Sequence, residues 1–227
     1  MSGQRGIGKG PLASEEFGQI QFFTGAVCDT CGSPLGFDLG PGAVCAPCIA
    51  RPPRWNRARA TMVYEAASRR PVLDLKRSGR RDGLETLANW MLQSGRSLVD
   101  EADLIVPVPL HYARLVRRGF NQSGWLAQEI SHLSGTPVMV DAIKRTRRTP
   151  TQGGPSARDR RRNVAGAFTI KERTATRISG RRVLRVDDVL TTGATVSACT
   201  RALKQAGAEN VDMLVLARVV RETDVTI

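Results

Sequence analysis

The fold is decided by residues 183–195, which read VLRVDDVLTTGAT. An apolar run interrupted by one arginine predicts a buried strand, and two adjacent carboxylates end it. A turn of small and hydroxyl-bearing residues follows and opens into a helix. A strand that passes through a tight turn into a helix is typical of a parallel α/β sheet, in which ligands bind beyond the carboxyl ends of the strands.

The turn in this segment is suited to a terminal phosphate. Gly193 and Ala194 let backbone N–H groups approach a ligand, and the following helix aims its positive end at the same point. Hydroxyl donors come from Thr191, Thr192 and Thr195. Asp187 and Asp188 repel a free phosphate but accept hydrogen bonds from vicinal sugar hydroxyls. The segment predicts a ribose 5-phosphate site; the alternative is an acidic strand end with an ordinary helix cap.

Strand-like and helix-like patterns alternate along the rest of the chain. Strands are predicted at 60–64, 104–106 and 211–219. Helices are predicted by apolar spacing at 84–92, 125–133 and 196–206. The alternation predicts an α/β fold with a largely parallel sheet. The segment 144–163 has no periodicity and is predicted to be a long basic loop.

Positive charge is concentrated in two segments of this chain of 227 residues, whose formal net charge is +13. Residues 51–81 hold ten basic and two acidic residues, and residues 144–162 hold eight basic and one acidic. Arginine dominates both, and its planar guanidinium suits bidentate contacts with phosphate. The charge predicts a nucleic acid or a polyphosphate metabolite as partner; the alternative is a solvated basic face.

Composition excludes several classes of protein. A hydrophobic fraction of 41% supports a core, and an aromatic fraction of 5% argues against a protein that grips single strands mainly by stacking. No apolar run approaches the roughly 20 residues of a membrane-spanning helix. Residues 1–20 lack the apolar core of a secretory signal, so we expect a cytoplasmic protein without a disulfide framework.

Four cysteines form two CxxC pairs, Cys28 with Cys31 and Cys45 with Cys48. Each pair presents two thiolates from one tight turn, so together they supply the four sulfur ligands of a structural zinc site. Redox-active pairs and an iron–sulfur cluster are the alternatives. The fifth cysteine, Cys199, lies on an apolar helical stripe and is predicted to be in the core.

Prolines at positions 52 and 53 predict a linker after the cysteine pairs. The chain is accordingly divided into a disordered tail over 1–22, a zinc ribbon over 23–53 and the α/β domain over 54–227. Trp55, Trp90 and Trp125 are predicted to be packing residues.

Residues 183–195 resemble the phosphoribosyl-diphosphate (PRPP) motif of type I phosphoribosyltransferases, and the chain from about 26 to 220 is similar to the ComF family. The closer match is carried by LKRSG at 75–79, VPVPLH at 106–111, RRGFNQ at 117–122, TQ at 151–152, RRNV at 161–164, AF at 167–168 and the two CxxC pairs. The resemblance implies a type I phosphoribosyltransferase-like parallel sheet flanked by helices, with a small N-terminal zinc ribbon.

The resemblance also implies residue roles. Asp187 and Asp188 would be the catalytic pair that holds the ribose hydroxyls, and residues 191–195 would hold the 5-phosphate. Residues 106–111 would form the diphosphate loop, and residues 145–163 a mobile cover. The remaining substrate-binding positions are Pro107, Val108, Pro109, Arg114, Arg117, Arg118 and Lys76. Prolines stiffen a strand exit and guanidinium groups suit a departing diphosphate, which agrees with this assignment.

Several of these positions have a second interpretation. The arginines at 114–118 also fit a solvated helix start. His111 fits either a ligand contact or packing, and Asn121 and Gln122 fit either ligand contacts or a helix cap. The chain departs from the family pattern at Arg185, which predicts an exposed face on its strand, at Arg77 and at Gly154-Pro155.

Two functions follow as hypotheses. The first is transfer of a phosphoribosyl group from PRPP, with Mg²⁺ held largely by substrate oxygens and water. The second is handling of nucleic acid, single-stranded DNA in particular, with the phosphoribosyl pocket kept for binding or regulation. The association of the ComF family with DNA uptake in competence implies the second.

Overall fold

The computed structural model describes residues 18–77, 81–110, 112–145 and 166–220. Strands in these ranges are β1 (Ala58–Val63), β2 (Leu104–Pro107), β3 (Ile143–Arg145), β4 (Phe168–Ile170), β5 (Arg182–Leu190) and β6 (Asn210–Arg218). Helices are α1 (Ala46–Ala50), α2 (Ala66–Arg77), α3 (Leu84–Ser94), α4 (Arg96–Asp100), α5 (Tyr112–Arg118), α6 (Gln122–Ser134), α7 (Glu172–Ile178) and α8 (Ala194–Gln205).

Four strands form one parallel sheet in the order β1-β6-β5-β2. Leu104 of β2 pairs with Val183 of β5, and Val211 of β6 pairs with the same Val183 on its other side. The predicted parallel sheet is therefore confirmed. Strand β5 runs through both aspartates to Leu190, which is further than the sequence pattern indicates.

Helices cover both faces of this sheet, as predicted. Helices α3 and α6 contact each other and pack on one face, where Leu87 and Ile130 are buried with Leu184. Helix α8 packs on the opposite face, where Cys199 is fully buried with Val183. Neighbouring residues of β5 serve the two cores because successive side chains of a strand point to opposite faces.

Arg185 lies in the middle of β5 and is fully buried, so the expected exposed face of this strand is wrong. Its Nη1 donates a hydrogen bond to the carbonyl oxygen of Val196 at 3.2 Å. Its Nε and Nη2 find no hydrogen-bond partner in the described part of the chain. The face stays covered because α8 packs over it.

Strands β3 and β4 form an antiparallel pair apart from the main sheet, with Ile143 opposite Ile170. The predicted basic loop therefore begins inside β3. The rest of the predicted cover, with Gly154-Pro155, lies outside the described residues, as do the tail to residue 17 and His111. Ile20 is buried and Phe22 bridges to Met62 of β1.

The cysteine unit, residues 23–53, packs against the start of β1 and the end of β6. Gly32 has a φ of +70°, and a side chain there would meet the carbonyl oxygen of Ala58 at 3.0 Å. Arg59 forms an ion pair with Asp29, and Nε of Arg218 donates to Oγ of Ser33 at 3.0 Å. The unit is thus held to the sheet through polar contacts at two strands.

A membrane-spanning helix is not found in the described parts of the chain, where every helix is too short or too polar.

Candidate functional site

Two aspartates at the carboxyl end of β5 form the centre of a hydrogen-bonded cluster. Ser123 Oγ donates to Oδ1 of Asp187 at 2.8 Å. Oδ2 of Asp188 accepts from Nε2 of Gln122 at 3.0 Å and lies 3.0 Å from Nζ of Lys76. Residues from α2 and from the first turn of α6 therefore orient both carboxylates.

Burial determines the electrostatics of this cluster. It raises the pKa of Asp187 to about 7, and the adjacent Asp188 carboxylate adds to the rise. The hydrogen bond from Ser123 and the charge of Arg185 act in the opposite direction. Two carboxylates side by side in a buried site resist full ionisation unless cations or hydroxyl donors approach. The pair is suited to a ligand that brings such groups.

The turn after β5, which we call the threonine loop (Thr191–Thr195), leads directly into α8. Gly193 is the residue before the helix and has a left-handed φ of +68°. The first N–H groups of a helix lack partners within it, so α8 presents donors at this loop. The aspartates and the threonine loop follow one another at the carboxyl end of β5, as the sequence predicts.

The exit of β2 lies beside the aspartates because β2 pairs with β5. The N–H of Val108 donates to the carbonyl oxygen of Val186 at 2.9 Å. Nδ2 of Asn121 donates to the carbonyl oxygen of Val108 at 3.0 Å. Asn121 occupies the position before α6 but makes no side-chain cap, so its amide fixes the β2 exit rather than the helix end. This exit, residues 107–110, is called the proline loop below.

The arginines that follow the proline loop lie on α5, which buries none of its residues. Arg117 is exposed, while Arg114 and Arg118 are half-buried. Nη1 of Arg118 lies 3.4 Å from Oε1 of Gln122, whose amide nitrogen contacts Asp188. Arg118 thereby joins the aspartate cluster at its edge.

The four cysteines of the two CxxC pairs come together in one cluster, with all sulfur atoms within 4.8 Å of one another. The Sγ atoms of Cys31 and Cys45 are 3.7 Å apart. A tetrahedral zinc site with Zn–S bonds of about 2.3 Å needs S···S distances of about 3.8 Å. The cluster therefore has the size and donor set of a structural zinc site.

Thiol acidity within the cluster is strongly split. A hydrogen bond from Cys31 lowers the pKa of Cys28 to about 4, whereas burial raises that of Cys48 to about 12. Sharing of the proton with Cys28 raises the pKa of Cys31. The neighbouring thiols thus stabilise one thiolate, and a bound cation is needed to stabilise all four cysteines as thiolates.

A groove of about 590 Å³ lies between the cysteine unit and the threonine loop. Four arginines line it: Arg51, Arg54, Arg201 and Arg218. No carboxylate is among the described lining residues, and the aspartates of β5 are therefore not part of the groove. This arginine groove therefore shares the threonine loop with the aspartate cluster but is a separate, anion-attracting surface.

Residues 92–225 match the phosphoribosyl transferase domain family. The chain belongs to this family. DNA utilization protein YhgH of Salmonella typhi is 35% identical over 219 residues, which span 92% of this chain and 93% of that protein. Competence protein F of Haemophilus influenzae is 32% identical over 217 residues, 93% of this chain and 92% of that one. These matches confirm the resemblance to the ComF family.

A solved structure of the allosteric regulatory enzyme of purine biosynthesis is also similar to this phosphoribosyl transferase family member. It is 21% identical, and the match covers 63% of this chain and 30% of that chain with a TM-score of 0.41.

The structure brings Lys76, Asp187 and Asp188 of this family member into one cluster and places the proline loop beside them. Sequence reasoning missed Ser123 and gave Gln122 only as one of two options. Their signal is weak, since a polar pair at a helix start is more often a cap. Their role becomes visible only when α6 packs across the end of β5.

Proposed function

We propose that this protein binds PRPP, or a related ribose 5-phosphate, at the aspartate cluster. The supporting observation is the Asp187–Asp188 pair, hydrogen-bonded by Ser123 and Gln122 immediately before the threonine loop. The carboxylates accept hydrogen bonds from the ribose hydroxyls, and the loop N–H groups donate hydrogen bonds to the 5-phosphate. The proline loop and Arg118 face the diphosphate.

The reaction proposed for this site is transfer of the phosphoribosyl group. The bond between C1 of the ribose and the diphosphate oxygen breaks, its electron pair leaves with the diphosphate, and C1 bonds to an acceptor. Mg²⁺, held largely by substrate oxygens and water, would neutralise the diphosphate charge. The chain itself fixes the sugar through both aspartates and places guanidinium groups near the leaving group, so its contribution is positioning and charge stabilisation.

Zinc is proposed as the resident metal of the cysteine cluster. Its ligands are Cys28, Cys31, Cys45 and Cys48, and with four sulfurs it has no open position for a substrate. It folds the cysteine unit rather than taking part in the transfer.

Calorimetry with Mg²⁺ and PRPP tests the ribose site. The wild-type protein gives a saturable heat of binding, and the D187N/D188N variant loses it. The matched control is D100N, since Asp100 forms an exposed ion pair with Arg96 on α4. Absence of binding heat at saturating PRPP in the wild type rejects the assignment.

Handling of single-stranded nucleic acid is the second candidate function, and the arginine groove favours it. Four guanidinium groups without a carboxylate among the described lining residues attract a phosphodiester backbone. The names of the two relatives refer to DNA utilization and to competence.

The salt dependence of single-stranded DNA binding separates this function from a general effect of charge. Changing Arg51, Arg54 and Arg201 to Gln reduces the slope of log affinity against log salt by about 2, at about 0.7 per phosphate contact. Changing the exposed arginines Arg69, Arg96 and Arg173 to Gln is the control. Equal effects of the two triple variants contradict a groove-specific contact.

A further inference from the structure

Trp55 lies between the cysteine unit and the threonine loop and is almost fully buried. Its Nε1 donates a hydrogen bond to the carbonyl oxygen of Thr30 at 2.7 Å. Thr30 lies inside the first CxxC pair, between Cys28 and Cys31. One end of the indole is therefore fixed directly by the backbone that presents two of the four sulfur ligands.

The opposite end of the same indole touches the threonine loop. A Cβ atom built on Gly193 would lie 2.6 Å from Cη2 of Trp55 and 3.2 Å from Cζ3. The ring therefore fills the space that any side chain at this position would need. Gly193 is also the left-handed residue that begins α8, so the indole limits where the loop backbone can move.

A second contact ties the same two regions. Oγ of Ser33 receives hydrogen bonds from Nε of Arg218 at 3.0 Å and from Sγ of Cys31 at 3.3 Å. Arg218 pairs with Leu190, the residue before the threonine loop, in the sheet register. The cysteine unit thus reaches the loop both through the indole and through the last residue of β6.

We propose that Trp55 is a positioning residue that couples metal loading of the cysteine unit to the conformation of the threonine loop. Metal binding fixes the first CxxC turn and with it the Thr30 carbonyl. The hydrogen bond then fixes the indole, and the indole holds Gly193 in the conformation that begins α8. The consequence for ribose phosphate affinity rests on the proposed function, but the coupling to the loop does not.

Amide hydrogen exchange measures the coupling without any ligand. In the wild type, chelation of zinc is expected to speed exchange across residues 190–198 by at least tenfold, while the core strand at 211–217 stays protected. Unchanged exchange at 190–198, with residues 28–48 fully exchanging, overturns the proposal.

Trp55→Phe breaks the coupling at both ends, because the phenyl ring lacks the donor to Thr30 and ends short of the Cη2 and Cζ3 atoms that lie against Gly193. In the zinc-loaded variant, exchange at 190–198 is expected to be already several-fold faster than in the wild type. Trp90→Phe is the matched control, since Trp90 lies on α3 and packs edge-on against Phe22, away from the threonine loop. If exchange at 190–198 is the same in zinc-loaded W55F and W90F, the proposal fails. This comparison needs no chelation, so it decides the matter even where removal of zinc unfolds the whole chain.

Ligand affinity supplies a reciprocal measurement. If zinc loading strengthens PRPP binding by a given factor, PRPP must strengthen zinc binding by the same factor. This factor is expected to be at least five in the wild type and to approach one in W55F. If zinc-loaded protein binds no PRPP at all, the proposed function fails, and the exchange measurements still decide the role of Trp55.

Discussion

Nζ of Lys76 lies 3.0 Å from Oδ2 of Asp188, with the lysine side chain 22% exposed and the carboxylate side chain 8% exposed. This contact spans from the end of α2 to the end of β5. The Lys76 ammonium group supplies a positive charge to a site that holds two adjacent carboxylates. A sugar or a hydrated cation that reaches Asp188 must displace this ammonium group or share the carboxylate with it.

Loss of the lysine charge is predicted to destabilise the fold through Asp188. K76M leaves a nearly buried carboxylate with Gln122 as its neutral partner and lowers the free energy of unfolding by about 1–3 kcal/mol. The K76M/D188N double variant recovers most of this loss, because no unpaired charge remains. Urea unfolding of the two single variants and the double variant measures the coupling; additive losses contradict the prediction.

Ribose phosphate affinity is predicted to fall as the pH drops below 7. A protonated Asp187 carboxyl has fewer acceptors for the ribose hydroxyls than the ionised one, and burial raises its pKa to about 7. Titration of ribose 5-phosphate between pH 5.5 and 8.5 checks this, with D187N expected to bind weakly and without that pH dependence. A flat profile in the wild type argues against the carboxylate as the titrating group.

The Asp187 carboxyl affects the stability of the fold with the opposite pH dependence: stability falls as the pH rises. It titrates near 3.8 in the unfolded chain and near 7 in the fold, so the folded state binds its proton more tightly. Its contribution to stability is complete below pH 4 and decreases as the pH rises to 7. Comparison of wild type and D187N by urea unfolding at pH 5 and pH 8 isolates this contribution.

A side chain at Gly193 is predicted to cost more than backbone strain alone. Gly180 has a φ of +70° with open space around its Cα, whereas Gly193 has a φ of +68° against the Trp55 ring. G180A therefore carries the left-handed penalty of about 1–2 kcal/mol, and G193A adds an overpacking cost of about 1–3 kcal/mol. Thermal unfolding of both variants gives the difference; equal losses refute the contact with the indole.

Replacement of Arg185 by Met is predicted to leave the fold as stable as before or to stabilise it by about 1–2 kcal/mol. The guanidinium is fully buried with two nitrogens unpartnered in the described structure, and an apolar side chain of similar length removes that cost. The pH midpoint of ribose phosphate binding is expected to rise, since the charge of Arg185 lowers the pKa of Asp187. A stability loss above about 1 kcal/mol points to stronger pairing of the guanidinium.

Local patterns predicted the parts of the site that are contiguous in the chain. The strand, the aspartates and the threonine loop follow one another over residues 183–195, so spacing and residue type predicted their placement at one strand end. The partners of the aspartates were harder, since Ser123 and Gln122 are 64 and 66 positions away from them. Such contacts depend on how α6 crosses the sheet, which no local period encodes.

The failed expectation at Arg185 has a related cause. A polar residue within an apolar strand normally predicts a solvated face, because burial of a charge is costly. Here the long side chain passes beneath α8 and reaches the carbonyl oxygen of Val196. The sequence shows a long polar side chain at this position but not that the packing of α8 brings a carbonyl oxygen within its reach.

The contact between Ser33 and Arg218 joins residues 185 positions apart. During synthesis, the cysteine unit leaves the ribosome long before β6, and β6 itself must insert between β1 and β5. The unit can gather its four thiolates early, yet its resting place on the sheet exists only after β6 has been made. Non-local pairing of this kind slows folding, so we expect the cysteine unit to complete its contacts with the sheet only after β6 has paired with β1 and β5.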